Sequence, residues 1–553
     1  MLSNAAGAFS SNARNANLRR AQLSFLGAWT AEWAFTVGLG IVAYRDGGAA
    51  AVGLVGLVRM APSAILAPLL SPLADRGPRE RVLMLVSVLR GVATLAVAVV
   101  VGLGGPSQIV YALAVLSTIA ATLYRPAHSA LLPSLCHSGY ELASANVVRG
   151  LLDAAATLVG PLLAALLLQL TGVTVVFAVA AGASLWGAAL LWRLDYDTPP
   201  RPAVGRETNL ARSALDGIRV VSRSGDLALI MVLAAAQSFT RGALTVLTVV
   251  VAIELLGTGE PGVGILTAAI GAGAVLGSLA ASLLVSTRRL GAWFAVGVAL
   301  WGVPVMLIGV FPQQVAALGL LACVGVGNSL IDLGGFTLLA RLAPDAVLAR
   351  VFGVLESLVA LSVGVGAVVA SLVVDAAGVR PALVTVGLLC PLLAAASWRR
   401  LRRMDRSIDV RDHDIDLLHT VPMLGVLPLP AIEQLARGLE TVDVRAGQVV
   451  FHQGDVGNHY FVIESGEAEV IGDGQVVATL GAGLGFGEIA LLRRTRRTAT
   501  VRAVSELRLR ALRSDRFLPV VLGYTPSARE AGSLVDSMLD RFTPLDDPEH
   551  PPR

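Results

Sequence analysis

The chain has 553 residues, 55% of them hydrophobic and only 15% charged, with a mean hydropathy of +0.71. Soluble globules carry about 25% charged residues, so a wholly water-soluble protein is excluded. Every basic residue is arginine, and the net charge of +4 is small and concentrated beside apolar runs, a pattern that speaks for membrane topology and against a nucleic-acid partner.

The N-terminal MLSNAAGAFSSNARNANLRR has no compact apolar stretch with a small-residue cleavage site, so the first apolar run is expected to remain as a span. A span needs about 20 apolar residues, and by that measure the chain offers twelve. They lie near 22–44, 49–71, 82–104, 109–132, 145–169, 173–193, 228–253, 261–285, 291–311, 315–340, 350–375 and 380–398. Alternate connections are rich in arginine (Arg14, Arg19 and Arg20; Arg76, Arg79 and Arg81; Arg288 and Arg289; Arg399, Arg400, Arg402 and Arg403), while the others, such as DGG, GGPSQ and FPQQ, are poor. The rich side is read as cytoplasmic, which puts both termini on the cytoplasmic side of an inner (plasma) membrane.

The longest internal connection follows the sixth span and divides the bundle into a first half at 15–195, a central loop at 196–225 and a second half at 226–400. Residues 145–173 can be laid over 349–379 with small residues at similar places, so two parallel halves around a central site are expected, which is a transporter plan. A basic segment and linker at 401–425 follow, beginning RRLRRMDR, which suits an anchor in anionic lipid headgroups. From 426 to 545 the pattern turns soluble, with short alternating strands between Gly and Asp turns.

Several motifs carry a family resemblance. SPLADRGPRER (Ser71 to Arg81) resembles the signature loop of the major facilitator superfamily, although Ser71 stands where that family has Gly. The resemblance implies a gating role for Asp75, Arg76 and Arg79. RPAHSALLPSL with ELASANVV, and the run Gly327 to Ser357, resemble the drug and siderophore efflux branch, and Gly160–Pro161 is similar to the Gly-Pro of antiporters. The implied fold is an all-α polytopic membrane protein of two six-helix halves, and the implied partners are a small amphipathic transport substrate and protons. Ionisable groups inside spans are costly, so Glu32, Arg59 and Arg241 are candidates for the transport site. Glu32 would gain and lose a proton, tuned by Arg59 or Arg241; a static ion pair that locks helices is the competing reading.

The tail resembles a cyclic nucleotide-binding domain, a β jelly-roll with flanking helices. Gly454, Asp455, Gly457, Tyr460, Phe461 and Gly466 match its turns and core, and FGEIALL followed by RTATV matches its phosphate-binding cassette. The residues implied in binding are Phe486, Gly487, Glu488, Ile489, Ala490, Arg497 and Thr498. A cyclic phosphodiester carries one negative charge, which suits the backbone N–H groups of the turn at 487–490 and a charge-assisted bond from Arg497. Glu488 would accept from the ribose 2'-hydroxyl. Thr498 leaves cyclic AMP and cyclic GMP both open, with cyclic AMP the first candidate. Leu534, Met538 and Leu539 offer an apolar face for a closing lid helix.

The combined expectation is a proton-coupled exporter regulated by a cytoplasmic cyclic nucleotide, with no cofactor and no metal. Two alternatives remain open at this point: a non-transporting membrane sensor or scaffold, and a transporter with a degenerate tail. No nucleophile elbow, P-loop lysine motif or metal-ligand spacing points to an enzyme.

Overall fold

The computed structural model describes residues 15–76, 78–136, 139–192, 194, 218–284, 289–342, 348–427, 429–523, 527, 529–533 and 535. The chain divides into two compact units, Met1–Asp405 and Arg406–Arg553.

The first unit is helical. Its helices are α1 (Ala16–Arg76), α2 (Arg79–Gly102), α3 (Ser107–Ala121), α4 (Tyr124–Leu135), α5 (Gly139–Leu170), α6 (Val173–Leu191), α7 (Gly225–Val250, running into a π-turn at Val251–Leu255), α8 (Gly259–Leu284), α9 (Leu290–Val310), α10 (Gln314–Leu342), α11 (Leu348–Ala377) and α12 (Val379–Thr420). Among the described residues, eleven helical stretches are long and apolar enough to cross a membrane. The difference from the twelve expected lies in α1. Its candidate span, Ala16–Leu66, holds both of the first two predicted legs, broken only at Gly47 and Gly48, where Gly48 adopts φ 61°. A left-handed residue without a Cβ turns the chain here at little steric cost.

Small residues let these helices approach closely. A Cβ on Gly242 of α7 would stand 1.9 Å from the Val363 carbonyl of α11, and one on Gly273 of α8 would stand 1.8 Å from the Ala322 carbonyl of α10. The two halves meet the same way: a Cβ on Gly53 would lie 2.3 Å from Ser371 Oγ, and one on Gly271 would lie 2.4 Å from the backbone nitrogen of Leu158. Any larger side chain at these positions would force backbones apart.

In the second unit, the helical residues 413–420 of α12, α13 (Pro422–Gly425) and α14 (Leu429–Ala436) precede eight strands: β1 (Glu440–Val444), β2 (Val449–Phe451), β3 (His459–Ser465), β4 (Ala468–Gly472), β5 (Gln475–Leu480), β6 (Gly485–Phe486), β7 (Thr500–Ala503) and β8 (Leu507–Arg513). Two further helices are α15 (Glu488–Leu492) and α16 (Ser514–Gly523). The strands form two antiparallel four-stranded sheets, ordered β1-β8-β3-β6 and β2-β7-β4-β5. Alternation sets the faces: Leu507, Leu509 and Ala511 of LRLRALR are buried, while Arg508 is exposed. The inter-sheet core gathers Ile463, Ala468, Phe486, Val501, Leu507 and Leu509.

The stretch 407–425, expected as a linker, is helical through Thr420. Leu417, Leu418, Val421, Met423 and Leu424 are buried with Ile432, Tyr460 and Phe517 in the tail's second apolar cluster. Asp414 and Glu464 both pair with Arg510, at 2.9 and 3.0 Å. Charged residues in this segment hid from a hydropathy reading the apolar face that packs it onto the roll.

Candidate ligand and transport sites

The cassette pocket is built at the junction of β6, α15 and the loop before β7. Phe486 is buried and stacks on Phe461 at 5.3 Å between ring centroids. Gly487 then takes φ 93°, which only glycine adopts without strain, and this turn aims Glu488 inward as α15 begins. Ile489 and Ala490 are buried behind it. Gly485 is fixed by close approach, since a Cβ there would lie 1.7 Å from the Tyr460 hydroxyl.

Arg497 is 5% exposed and firmly held. Its Nη1 donates to the Gly487 carbonyl (2.9 Å) and its Nη2 to the His459 carbonyl (2.7 Å). Its guanidinium lies 4.0 Å from the centre of the Phe451 ring, a cation–π contact that fixes the plane of the group. The backbone of Arg497 is tied as well: its N–H donates to the Asp455 carbonyl and its carbonyl accepts from Gly454 N–H. Gly457 leaves room for the guanidinium, because a Cβ there would come within 2.9 Å of Arg497 Cζ.

Glu488 is 2% exposed, and its Oε2 has no hydrogen-bond partner. Burial pushes its carboxyl up to about 7, against the opposing pull of its own backbone N–H and of Arg497. Arg497 Nε is likewise buried without a partner. Leaving such groups unpaired costs about 1 to 3 kcal/mol each, more for charged ones. A ligand offering a hydroxyl donor to Glu488 and an anionic acceptor to Arg497 would satisfy both. Thr498 is half-buried on the loop after Arg497. Leu534, Met538 and Leu539 lie outside the described residues; the nearby Ala531 and Val535 are buried, and Ser527 Oγ donates to the Met423 carbonyl at 2.8 Å.

In the membrane unit, Glu32 sits between two arginines, with Arg59 Nη2 on one carboxylate oxygen and Arg90 Nη2 on the other. Arg59 is held further by Thr118 (2.5 Å), and its guanidinium lies 5.4 Å from the Phe35 ring centre. Arg90 as a Glu32 partner was not legible in the sequence, because α1 and α2 meet only in the folded bundle. Arg241 is elsewhere: the charges acting on it are Arg125, Asp332, Asp153 and Glu356. Arg125 also approaches Asp153 at 3.4 Å. Arg79 donates to Ser134 Oγ at 3.3 Å, while the side chains of Asp75 and Arg76 lie outside the described part. At the arginine-poor end the halves are joined by a bidentate pair, Arg45 to Glu260 (2.6 Å for each bond), and by Tyr44 to Glu254 at 2.5 Å. Among the described residues no cluster of His, Cys, Asp and Glu could hold a metal.

Among the described residues, eleven membrane-length apolar helices followed by an eight-stranded roll define a multi-pass membrane protein with a ligand-binding cassette. The chain belongs to the Major Facilitator Superfamily, whose sequence profile matches residues 23–332, and the profile of the cyclic nucleotide-binding domain matches residues 441–524. A cAMP-dependent protein kinase regulatory subunit of Schizosaccharomyces pombe is 47% identical over 94 residues, 17% of this chain and 23% of that protein. An uncharacterized protein of Mycobacterium tuberculosis is 50% identical over 80 residues, 14% of this chain and 15% of that one. The chain thus spans less than a quarter of the length of either relative. Among solved structures, a co-crystal structure of the regulatory domain of Toxoplasma gondii PKA with cAMP is 27% identical, covering 24% of this chain and 50% of that one with a TM-score of 0.21.

Proposed function

We propose that this protein is a secondary active transporter of the inner membrane, exporting small amphipathic molecules in exchange for protons, with a cytoplasmic tail that binds a cyclic nucleotide and regulates transport. The observation that carries the regulatory half is the pairing of a buried, unpartnered Glu488 carboxylate with a backbone-held Arg497. The phosphate would lie on Arg497 and the N–H groups of the 487–490 turn, and the ribose 2'-hydroxyl would donate to Glu488. Cyclic AMP is the first candidate over cyclic GMP, supported by the likeness to cAMP-dependent kinase regulatory subunits.

For coupling, the residue of choice is Glu32. Loss of its charge on protonation would leave Arg59 and Arg90, with side chains 6% and 3% exposed, side by side without a counter-ion. That is unfavourable in a low-dielectric interior, so the helices carrying them must rearrange. Arg241 belongs to a second charged group, with Arg125, Asp153, Asp332 and Glu356 acting on it. Asp75, Arg76 and Arg79 are assigned to gating on the motif alone. Regulation requires the nucleotide to bind the two conformations with different affinity.

The test uses inside-out vesicles loaded with the wild-type chain or with Glu488→Gln/Arg497→Ala, assayed for substrate-coupled proton flux with and without cyclic AMP. A nucleotide effect confined to the wild type is expected. Equal flux under all conditions, despite measured nucleotide binding, defeats the regulatory reading.

A further inference from the structure

The membrane unit contains an apolar recess that neither proposed site uses. It lies between α9 and α12, which touch at two levels. Near the arginine-rich end, the Asp405 carboxylate accepts from the backbone N–H groups of Gly291 (2.6 Å) and Ala292 (3.0 Å). Deeper in the bundle, a Cβ on Gly302 would stand 2.3 Å from the Gly387 carbonyl. Between these contacts the helices part. Ala295, Val296 and Ala299 on one side and Pro391, Ala394 and Ala395 on the other wall an open-sided cavity of about 380 Å³, with Trp398 at its end.

The walls offer no hydrogen-bonding side chain, so a polar solute gains nothing there. The rim has the opposite character. Arg289 stands at the foot of α9, and Arg399, Arg402 and Arg403 follow Trp398, all exposed. The Arg402 guanidinium lies 5.9 Å from the Trp398 ring centre. Arg400 is engaged with Asp226 at 2.8 Å, and Asp405 is occupied by α9. Among the described residues, none of Arg399, Arg402 and Arg403 forms an ion pair.

A slot with hydrocarbon walls and a cationic rim at the membrane surface complements one molecule available there, a phospholipid with a net negative headgroup. We propose that this recess takes one acyl chain of an anionic phospholipid from the leaflet on the arginine-rich side, with its phosphate on Arg399, Arg402 and Arg403. Trp398, amphipathic and at the boundary, packs between chain and headgroup.

The test is native mass spectrometry of the full-length protein in detergent, titrated with phosphatidylglycerol and with phosphatidylcholine of identical acyl chains. The wild type should retain one phosphatidylglycerol at least tenfold more tightly than phosphatidylcholine, given a contribution of about fivefold per arginine. Arg399→Gln/Arg402→Gln/Arg403→Gln should abolish that preference while still holding either lipid weakly; these exposed positions leave folding intact. Ala395→Leu and, from the opposite wall, Ala299→Leu fill the slot and should lose both lipids. Equal retention of the two lipids by the wild type overturns the proposal, as does undiminished retention by both slot-filled variants at an unchanged unfolding temperature.

Discussion

Raising the pH is expected to tighten nucleotide binding, and Glu488 sets the size of the effect. Its carboxyl in the free pocket is pushed up by burial to about 7, from an ordinary 4.5. A ribose hydroxyl donating to it favours the ionised form, so binding must expel a proton wherever the free pocket is protonated. If the bound carboxyl returns to its ordinary value, affinity rises about tenfold per pH unit between 4.5 and 7, roughly 300-fold in all, and levels off above 7. The sign for stability is opposite. A carboxyl raised in the folded state contributes stability that is fully present below 4.5 and lost as pH climbs through 7, about 3 kcal/mol in the unliganded tail. The assay is calorimetric titration of the full-length protein in nanodiscs with cyclic AMP, from about pH 5.5 to about pH 8, in two buffers of different ionisation enthalpy; nearly one proton should be released per nucleotide at the acid end and almost none at the alkaline end. Glu488→Gln should bind more weakly and with no pH dependence. A wild-type affinity that stays flat across this range, or a Glu488→Gln variant that tightens as the wild type does, would refute the reasoning.

Other outcomes follow from the same contacts. Arg497→Ala removes the charged donor and should weaken cyclic AMP binding by about 1.5 to 3 kcal/mol, read by the same titration, with the fold retained by circular dichroism. Gly487→Val meets both φ 93° and a clash of its Cβ with Arg497 Nη1 at 2.4 Å; it should cost about 1 to 3 kcal/mol of stability and displace the arginine, so nucleotide binding falls as well. Glu32→Gln leaves two arginines facing each other and should destabilise the membrane unit by about 3 to 5 kcal/mol, measured by thermal unfolding in detergent, with Arg59→Gln in the same chain restoring part of the loss. Arg45→Gln breaks an exposed pair between the halves, so its effect on stability should stay under about 1 kcal/mol. Spin labels placed across that end should nonetheless report a wider distance distribution; an unchanged one would show that the pair does not hold the halves together.

Much of the cassette was legible because its chemistry is local. Gly487, Glu488 and Arg497 sit within a dozen residues, and the glycine's left-handed turn and the short helix after it depend on neighbours in the chain. The partners that orient Arg497 were not legible: the His459 carbonyl and the Phe451 ring come from other strands. The same holds in the membrane. That Glu32, Arg59 and Arg241 were ionisable groups within spans could be read from apolar context, but Arg59 was brought to the Glu32 carboxylate by the turn at Gly47 and Gly48 inside α1, and Arg90 by the approach of α2. Arg241 fell among Arg125, Asp153, Asp332 and Glu356 instead. The helical 407–420 segment was misjudged because hydropathy counts apolar residues without registering whether a polar stretch has one packed face.

The amino-acid sequence by itself determined that this protein crosses a membrane many times and ends in a roll of strands, because hydrocarbon and water each impose a composition on the residues that face them. Tertiary structure alone decided which charges meet, which glycines admit a neighbouring backbone and where two helices part to leave an apolar slot. Those features depend on distances between segments hundreds of residues apart, and no local pattern encodes such distances.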